Sequence, residues 1–460
     1  MKVRLSVGMV AGMVCCGPAL AADLPVKAPA FKAAAPVSNW TGWYVGVNAG
    51  ASLSQVNAST PNAMQFLNSE LDVARLGATG GAQAGFNWQI SPYWVAGIEA
   101  DFGHLGIDRT FAEWNDDVAF GVKADWYGTI RGRLGYTTGP SLLYLTGGAA
   151  FVNVKNVFAD TDRSLVVESS KTATGWTLGG GIETMLGGNW SAKAEYLYID
   201  AGRTTVAGPF GRVIGDAVFE NRFHVYRAGL NYRLGSAGTE CCALASRPNT
   251  GDTSWTGGYV GVNAGASVSQ VNASTPNLPE PEFAPVFIAP NEGELDIAGL
   301  GATGSLQAGF NWQASPHWVA GLEADFGHLG INRTIKDWND PVTFGVKADW
   351  YGTIRGRLGY TTGPSLLYVT GGAAFVNVKS IFGNLAVSSP PVESSKTATG
   401  WTLGGGLETM LGGNWSAKAE YLYIDAGKTS VDGLPIDQAV VVFDNRFHVY
   451  RAGLNYRLGG

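Results

Sequence analysis

The sequence contains one long unit twice, and this duplication limits the folds that the chain can adopt. Residues 125–138 recur without a change at 349–362, and residues 222–234 recur at 446–458. The repeat is about two hundred residues long, so each copy has the size of a domain and not of a solenoid unit. We therefore expect two copies of one domain, joined by a linker.

Each copy alternates apolar and polar residues with a period of two, which is the pattern of β-strands. The first copy contains eight such segments, at 42–53, 76–90, 93–105, 121–137, 141–155, 172–187, 189–203 and 221–234. Tight turns such as Ser91-Pro92 alternate along the chain with long polar connections such as 54–75. Short turns at one end and long loops at the other are typical of outer-membrane β-barrels. The two copies differ mainly in the predicted long loops.

Charged residues lie in the middle of these segments, opposite apolar faces. In the third segment Glu99 and Asp101 alternate with Ile98, Ala100 and Phe102. A charge that faces lipid at mid-depth costs about 2–4 kcal/mol, so the charged face should line the lumen. After the N-terminus the chain has no apolar run long enough for a membrane-spanning helix. A membrane protein without such helices must be a closed barrel, because only a closed barrel pairs every backbone group within lipid.

We therefore predict an all-β protein with two tandem eight-stranded antiparallel transmembrane β-barrels. The alternative is one fused barrel of sixteen strands, a size that leaves an aqueous channel. Each copy has its own first and closing strand, and a long connection separates the copies, which favours two barrels. The predicted domains are a signal peptide, a Pro/Ala-rich linker, the first barrel, a periplasmic linker and the second barrel, at 1–21, 22–38, 39–235, 236–253 and 254–460.

The N-terminus has the order of a secretory signal peptide. Lys2 and Arg4 precede a short apolar stretch, and Ala19-Leu20-Ala21 supplies the small residues of a cleavage site. Export and a barrel together predict the outer membrane of a Gram-negative cell, with extracellular loops and periplasmic termini. The chain has 37 acidic and 31 basic residues, so it lacks the positive charge of a nucleic-acid-binding protein.

Eleven charged positions in each copy are predicted to face the lumen. An eight-stranded barrel is only wide enough for its side chains to fill, so we expect a lumen that is plugged by ion pairs. A passive channel for small solutes is the alternative, favoured only if the two copies merge into one barrel. The predicted charge network is Glu99, Asp101, Lys123, Asp125, Arg131, Arg133, Glu183, Lys193, Glu195, Arg227 and Arg233, repeated as Glu323, Asp325, Lys347, Asp349, Arg355, Arg357, Glu408, Lys418, Glu420, Arg451 and Arg457.

Motifs at the start and the end of each copy carry a family resemblance. The first copy begins with Trp-Thr-Gly-Trp-Tyr-Val-Gly at 40–46, contains Ala-Glu-Tyr-Leu-Tyr at 194–198, and closes with Tyr-Arg-Ala-Gly-Leu-Asn-Tyr-Arg-Leu at 226–234. These motifs resemble those of the small outer-membrane immunogenic proteins of α-proteobacteria. The resemblance covers each copy from end to end. It implies a porin-family, OmpA-like barrel of eight strands.

The closing strand is also similar to the C-terminal signal that the barrel-assembly machinery reads in this family. The resemblance therefore implies that this machinery and outer-membrane lipid are partners of the chain. Family members usually carry one barrel and end on an aromatic residue, whereas each signal here ends on Leu. The signal residues are Arg227, Gly229, Tyr232 and Leu234, repeated as Arg451, Gly453, Tyr456 and Leu458.

The spacing of potential catalytic and ligating residues predicts no enzyme, cofactor or metal site. His104 and His224 fall near the predicted loop end on non-neighbouring strands, and no Ser-His-Asp set can be assembled. Some members of the family are described as hemin-binding, which implies that a rim histidine could ligate iron. Three functions follow: a structural barrel that displays its loops as a surface antigen, a passive channel, and capture of a ligand such as hemin.

Overall fold

The computed structural model describes residues 39–59, 70–112, 118–160, 165–207, 216–234, 254–274, 294–336, 342–384, 391–431 and 440–458. These residues form sixteen β-strands. Within them, no helix is long and apolar enough to cross a membrane. The predicted signal peptide and both predicted linkers lie outside the described residues.

The first copy forms a closed antiparallel barrel in which each strand pairs with the next in sequence. Strand β8 closes the barrel by pairing with β1, from Trp43 opposite Leu234 to Ser59 opposite Val218. The strands are β1 (Gly42–Ser59), β2 (Glu70–Gln89), β3 (Trp94–Ala112), β4 (Val118–Thr137), β5 (Ser141–Asp160), β6 (Leu165–Gly187), β7 (Trp190–Val206) and β8 (Ala217–Leu234).

The second copy forms its own closed barrel, in which β16 pairs with β9. The prediction of two eight-stranded barrels is confirmed, and the alternative of one sixteen-stranded barrel is wrong. The strands are β9 (Gly257–Ser274), β10 (Glu294–Gln313), β11 (Trp318–Lys336), β12 (Val342–Thr361), β13 (Ser365–Asn384), β14 (Val392–Gly412), β15 (Trp415–Val431) and β16 (Val441–Leu458).

The strands extend further at the loop end than the sequence pattern predicted. Strand β2 begins at Glu70, inside the predicted loop 54–75, and Glu70 pairs with Ser59 of β1. Pairing continues there because each ladder satisfies backbone groups that would otherwise need water. At the turn end the predicted and observed bounds agree closely: β2 ends at Gln89 and β3 begins at Trp94.

Bulges near the loop end interrupt the regular alternation of side chains. In the first barrel the pairing shifts between His104 and Ile107 on β3, and between Ala124 and Tyr127 on β4. Gly106, inside the first of these bulges, has a φ of 63° that favours glycine. A bulge adds one residue to one strand, and on β4 the side chains beyond it therefore exchange faces.

The outer wall carries aromatic pairs at both ends of the apolar band. Such girdles mark the two membrane interfaces of a transmembrane barrel. The ring centroids lie 5.7 Å apart for Trp94–Tyr136 and 5.1 Å for Trp190–Tyr232 at the turn end, and 5.5 Å for Phe102–Trp126 and 5.3 Å for Trp176–Tyr198 at the loop end.

Candidate functional site in the lumen of each barrel

Three layers of side chains fill the lumen of the first barrel. The turn-side cap consists of Trp40, Val95, Leu142, Tyr144 and Met185. The charge layer, a group of buried acidic and basic side chains, lies in the middle of the barrel. The loop-side apolar layer consists of Leu105, Ile107, Ala124, Tyr127, Ala150, Val152, Val154, Ala173, Leu197, Ile199, Ala201, Phe223 and Val225.

The charge layer contains equal numbers of acidic and basic side chains, and all of them are buried. Its members are Glu99, Asp101, Glu183 and Glu195 with Arg131, Arg133, Lys193 and Arg227. Their counterparts in the second barrel are Glu323, Asp325, Glu408 and Glu420 with Arg355, Arg357, Lys418 and Arg451. A buried charge is tolerated when a partner and hydrogen bonds compensate its lost hydration, and four acids balance four bases here.

Arg131 is the centre of the charge layer. Its Nη2 donates to Glu99 and to Asp101 Oδ2, the latter at 2.6 Å. Its Nη1 donates to Glu195 Oε1 at 3.1 Å. One planar guanidinium therefore joins carboxylates from β3 and β7, and the Arg131 side chain is 0% exposed. Arg355 makes the same contacts in the second barrel, with Asp325 at 2.7 Å and Glu420 at 3.2 Å.

Arg227 connects the charge layer to the loop-side apolar layer. Its Nη2 donates to Asp101 Oδ2 at 2.8 Å, and its Nε donates to Glu195 Oε2 at 2.8 Å. Its Nη1 donates to the hydroxyl of Tyr127 at 2.8 Å, and the ring of Tyr127 belongs to the apolar layer. The closing strand β8 is thereby fixed to β3, β4 and β7 from inside the barrel.

Arg133 connects the charge layer to the turn-side cap. Its Nη2 donates to Glu183 Oε2 at 2.8 Å, and its guanidinium carbon lies 4.1 Å from the ring centroid of Tyr144. The hydroxyl of Tyr44 accepts a hydrogen bond from Arg133 at 3.0 Å and donates one to Glu99 Oε2 at 2.7 Å. A guanidinium over an aromatic ring is a favourable arrangement when both groups are desolvated.

The lysine of the charge layer differs slightly between the two barrels. Lys193 Nζ donates to both oxygens of Glu99, at 3.0 and 3.1 Å. Its counterpart Lys418 lies 3.3 Å from both oxygens of Glu323 and donates to Gln307 Oε1 at 2.6 Å. The charges are the same in both copies, and the hydrogen-bond partners of this side chain change.

The turn-side cap contains Trp40, which the alternation of residues along the strands did not place in the lumen. Trp40 precedes β1, and its side chain is buried with Nε1 donating to Thr137 Oγ1 at 3.0 Å and to the Gly139 carbonyl at 3.1 Å. Trp255 occupies the same place in the second barrel. The repeated Trp-Thr-Gly motif marked this position, because an aromatic residue just before a strand can fold back into the barrel mouth.

Four predicted members of the network lie outside the lumen, and the prediction was wrong for them. Lys123 and Lys347 lie beyond the bulge in β4 or β12, and Asp125 and Asp349 lie within it. The bulge turns Val122 and Ala124 inward, where they are buried, and turns Lys123 outward. There Lys123 Nζ lies 3.2 Å from Asp108, and both side chains are exposed.

Arg233 and Arg457 also lie outside the charge layer. Arg233 is at the turn-side rim, where its Nη1 donates to the Asn39 carbonyl at 3.1 Å and its Nη2 to the Gly188 carbonyl at 3.3 Å. Arg457 donates in the same way to the carbonyls of Ser254 and Gly413, at 2.9 and 3.2 Å. The prediction that both arginines join the lumen network was wrong, because they lie near the strand end and bind the backbone of the rim.

The predicted assembly signal divides between the two faces of the closing strand. Arg227 and Arg451 belong to the charge layers, whereas Tyr232 and Leu234 are exposed on the outer wall. Tyr456 and Leu458 are exposed in the same way. An outward aromatic and leucine are accessible to a partner in the membrane, and recognition by the assembly machinery stays a prediction.

The histidines near the loop end do not form a ligand cluster. His104 is exposed on β3, and His328 has the same position on β11. His224 lies on β8, where its Nδ1 is 2.9 Å from the Tyr196 hydroxyl. Within the described part of the chain no group of three or more His, Cys, Asp or Glu could hold a metal ion. Hemin binding by a rim histidine stays a prediction.

Comparison with known proteins agrees with this architecture. A model of the outer membrane protein beta-barrel domain matches residues 19–233 and 238–457. The 31 kDa outer-membrane immunogenic protein of Brucella melitensis is 36% identical over 233 residues, covering 47% of this chain and 93% of the relative. The 22 kDa outer membrane protein of Rhizobium leguminosarum is 34% identical over 183 residues, covering 39% and 69%. The solved structure of Neisserial surface protein A is 14% identical, with a TM-score of 0.26, and covers 44% of this chain and 98% of its own.

Proposed function

Because the chain belongs to the family of outer membrane protein β-barrel domains, we propose that it is a structural protein of the outer membrane whose lumens are closed by their own side chains. In this proposal the barrels anchor the chain and hold the variable loops at the cell surface. The relatives support display of this kind, since they are named outer-membrane immunogenic proteins. Chemistry on a substrate has no part in the proposal.

The charge layer is the observation that carries the proposal of a closed lumen. The side chains of Arg131, Asp101 and Glu195 meet in the middle of the barrel, and each is 0% exposed. A hydrated pore would leave charged side chains in contact with water, as in the wide barrels of porins. The turn-side cap and the loop-side apolar layer add two further obstacles along the same path.

The first test is conductance of the refolded full chain in planar bilayers. We expect no conductance steps, because ions would have to break the buried ion pairs and pass two apolar layers. An open sixteen-stranded porin in the same bilayers is the positive control. Reproducible steps that change when Trp40 and Trp255 are both replaced by alanine would show that solutes pass through the lumen. That result would favour the passive channel.

The second test concerns the orientation that we propose, with the long loops outside the cell and the termini in the periplasm. An epitope tag is inserted at residues 208–215, between β7 and β8, or at residues 236–253, between the barrels. On intact cells we expect an antibody to label only the first tag. Both tags should be labelled after the outer membrane is permeabilised. Labelling of the second tag alone on intact cells would reverse the orientation.

A further inference from the structure

The two barrels belong to one compact unit of the chain and meet through equivalent residues. Near the loop end Tyr226 of one barrel stacks on Tyr450 of the other, with ring centroids 3.7 Å apart and an angle of 14° between the planes. Leu53 and its counterpart Val268 belong to the same buried cluster. Contacts between copies of one position are the mark of an approximate two-fold relation.

A second contact between the barrels lies near the turn end and is polar. Ser141 Oγ lies 2.9 Å from Ser365 Oγ and 2.6 Å from Thr409 Oγ1, and Thr184 Oγ1 lies 2.6 Å from Ser365 Oγ. Ser141 and Ser365 are equivalent, as are Thr184 and Thr409. The four hydroxyls satisfy one another on wall positions that would otherwise face lipid, so they fix the barrels at this point.

A cavity of about 2020 Å³ lies along the seam between the two barrels. Its lining extends from Leu143, two residues from the hydroxyl contact, to Tyr226 and Tyr450 at the stacked contact. Both walls are outer walls of barrels, at the depth of the apolar band. The cavity is therefore in a position where hydrocarbon, and not water, is the surrounding medium.

Small residues on the facing walls contribute to this space, which Trp318, Leu358 and Tyr360 of the second barrel also line. Ala49, Ala192, Ala194 and Ala228 point outward from the first barrel into the cavity, and their counterparts line the opposite wall. Elsewhere the outer wall is bulky, with exposed Ile98, Phe102 and Ile130 on β3 and β4. The two walls that face each other thus carry several small side chains, and these leave space between the barrels.

The two stacked tyrosines provide an independent sign that the cavity has an occupant. Tyr226 and Tyr450 line it, and each is only 9% exposed. Neither phenolic hydroxyl has a hydrogen-bond partner among the described residues. A buried hydroxyl without a partner is unfavourable, so an occupant that brings an acceptor would complete the site.

The position of Tyr226 along β8 gives its depth in the membrane. Tyr226 is two residues from His224, which pairs with the loop-end aromatic Tyr198. The hydroxyls of Tyr226 and Tyr450 are therefore close to the membrane interface on the loop side of the barrels.

We propose that the seam cavity binds the acyl chains of a membrane lipid, with an ester carbonyl oxygen accepting from Tyr226 or Tyr450. The alanines contact the hydrocarbon, and the hydroxyls lie where the ester groups of the loop-side leaflet begin. Phospholipid and lipopolysaccharide share this chemistry. The site requires two facing walls, so a chain with one barrel does not contain it. The proposal is independent of whether the lumen conducts.

The test measures lipid that stays on the full chain after extraction from outer membranes in mild detergent, by native mass spectrometry. The cavity is narrowed between its alanine walls by the paired change Ala192→Leu and Ala417→Leu. The matched control is Ala100→Leu with Ala324→Leu, which makes the same change at exposed outward positions of β3 and β11. We expect the wild type and the control to keep the same amount of bound lipid and the narrowed variant to retain less.

The hydroxyls are tested separately by Tyr226→Phe with Tyr450→Phe, which keeps both rings. Loss of one hydrogen bond should weaken lipid retention about fivefold. The mass of the retained lipid distinguishes phospholipid from lipopolysaccharide, and either supports the site. Equal retention by the narrowed and control variants, or no lipid on the wild type, would overturn the site. Unchanged retention by the phenylalanine pair would overturn the contact with the ester.

Discussion

The charge layer and the loop-side apolar layer fill the same lumen by different means. In the charge layer Arg131 and Arg227 bind shared carboxylates, and stability depends on each charge having its partner. In the apolar layer Leu197, Ile199 and Phe223 are fully buried without polar side-chain atoms. The first layer should therefore be most sensitive to changes of charge, whereas the second should tolerate changes that keep the volume.

On β4 the boundary between the two layers coincides with a bulge. On β4, Arg131 and Arg133 lie on the turn side of the bulge and face the lumen. Beyond it Val122 and Ala124 are the inward residues. On this strand one inserted residue thus brings apolar side chains to the lumen while the pattern of amino acids along the strand continues. On β8, which has no bulge, the inward residues change from Arg227 to Val225 and Phe223 in one register, so the difference there is one of composition.

The largest effect should follow from Arg131→Met. The substitution leaves Glu99, Asp101 and Glu195 without their shared cation, and breaking a buried ion pair in this way costs about 3–5 kcal/mol. The measurement is urea unfolding of the full chain refolded in lipid, where the second barrel with its intact Arg355 is an internal reference.

The matched control for this prediction is Leu197→Met in the loop-side apolar layer. It introduces the same residue at a fully buried position and should cost less than about 1.5 kcal/mol, because leucine and methionine have similar volumes. If Arg131→Met costs no more than Leu197→Met, ion pairing is not what stabilises the middle of the barrel.

A smaller effect is expected at the bulge, from Gly106→Ala. At this position φ is 63°, and a Cβ atom would lie 2.3 Å from the Ala78 carbonyl oxygen. Strain of this kind costs about 1–3 kcal/mol, and relief of the clash would disturb the start of the apolar layer. Urea unfolding measures the cost.

Gly202→Ala separates backbone strain from the clash at the bulge. Gly202 also has a positive φ, 73°, but a Cβ atom there would meet nothing within 4 Å. Its replacement should therefore cost less than Gly106→Ala. Equal costs for the two variants would mean that the close approach to β2 does not hold the bulge in place.

The alternation of residues was enough to predict the barrels and most of the charge layer. Two-residue periodicity over the middle of β3, β7 and β8 placed Glu99, Glu195 and Arg227 inside the lumen, where the structure has them. The turn-end bounds followed from Gly and Pro. In the middle of the barrel the strands are regular, so successive side chains point alternately to the lumen and to the outer wall. Every second residue along a strand therefore faces the lumen.

Beyond the bulge in β4 the same rule failed, because the sequence does not show where an extra residue is inserted. Asp125 and Trp126 continue the pattern without interruption, although the pairing shifts between Ala124 and Tyr127. Gly106 was a signal for the neighbouring bulge in β3, since an isolated glycine in a strand often marks a bulge, but Asp125 and Trp126 give no such signal on β4. The contact between the barrels was not predictable, because it depends on which outward faces meet.

The smallest effect should come from Lys123→Met, which tests the boundary directly. Lys123 forms an exposed pair with Asp108 at 3.2 Å. Exposed pairs are screened and contribute little, so we expect no change in urea unfolding beyond experimental error. The same substitution at Lys193, whose side chain is 0% exposed and bound to Glu99, should cost about 3–5 kcal/mol. If Lys123→Met is as destabilising as Lys193→Met, Lys123 faces the lumen. The charge layer would then continue past the bulge, and the division of the lumen into two layers would be wrong.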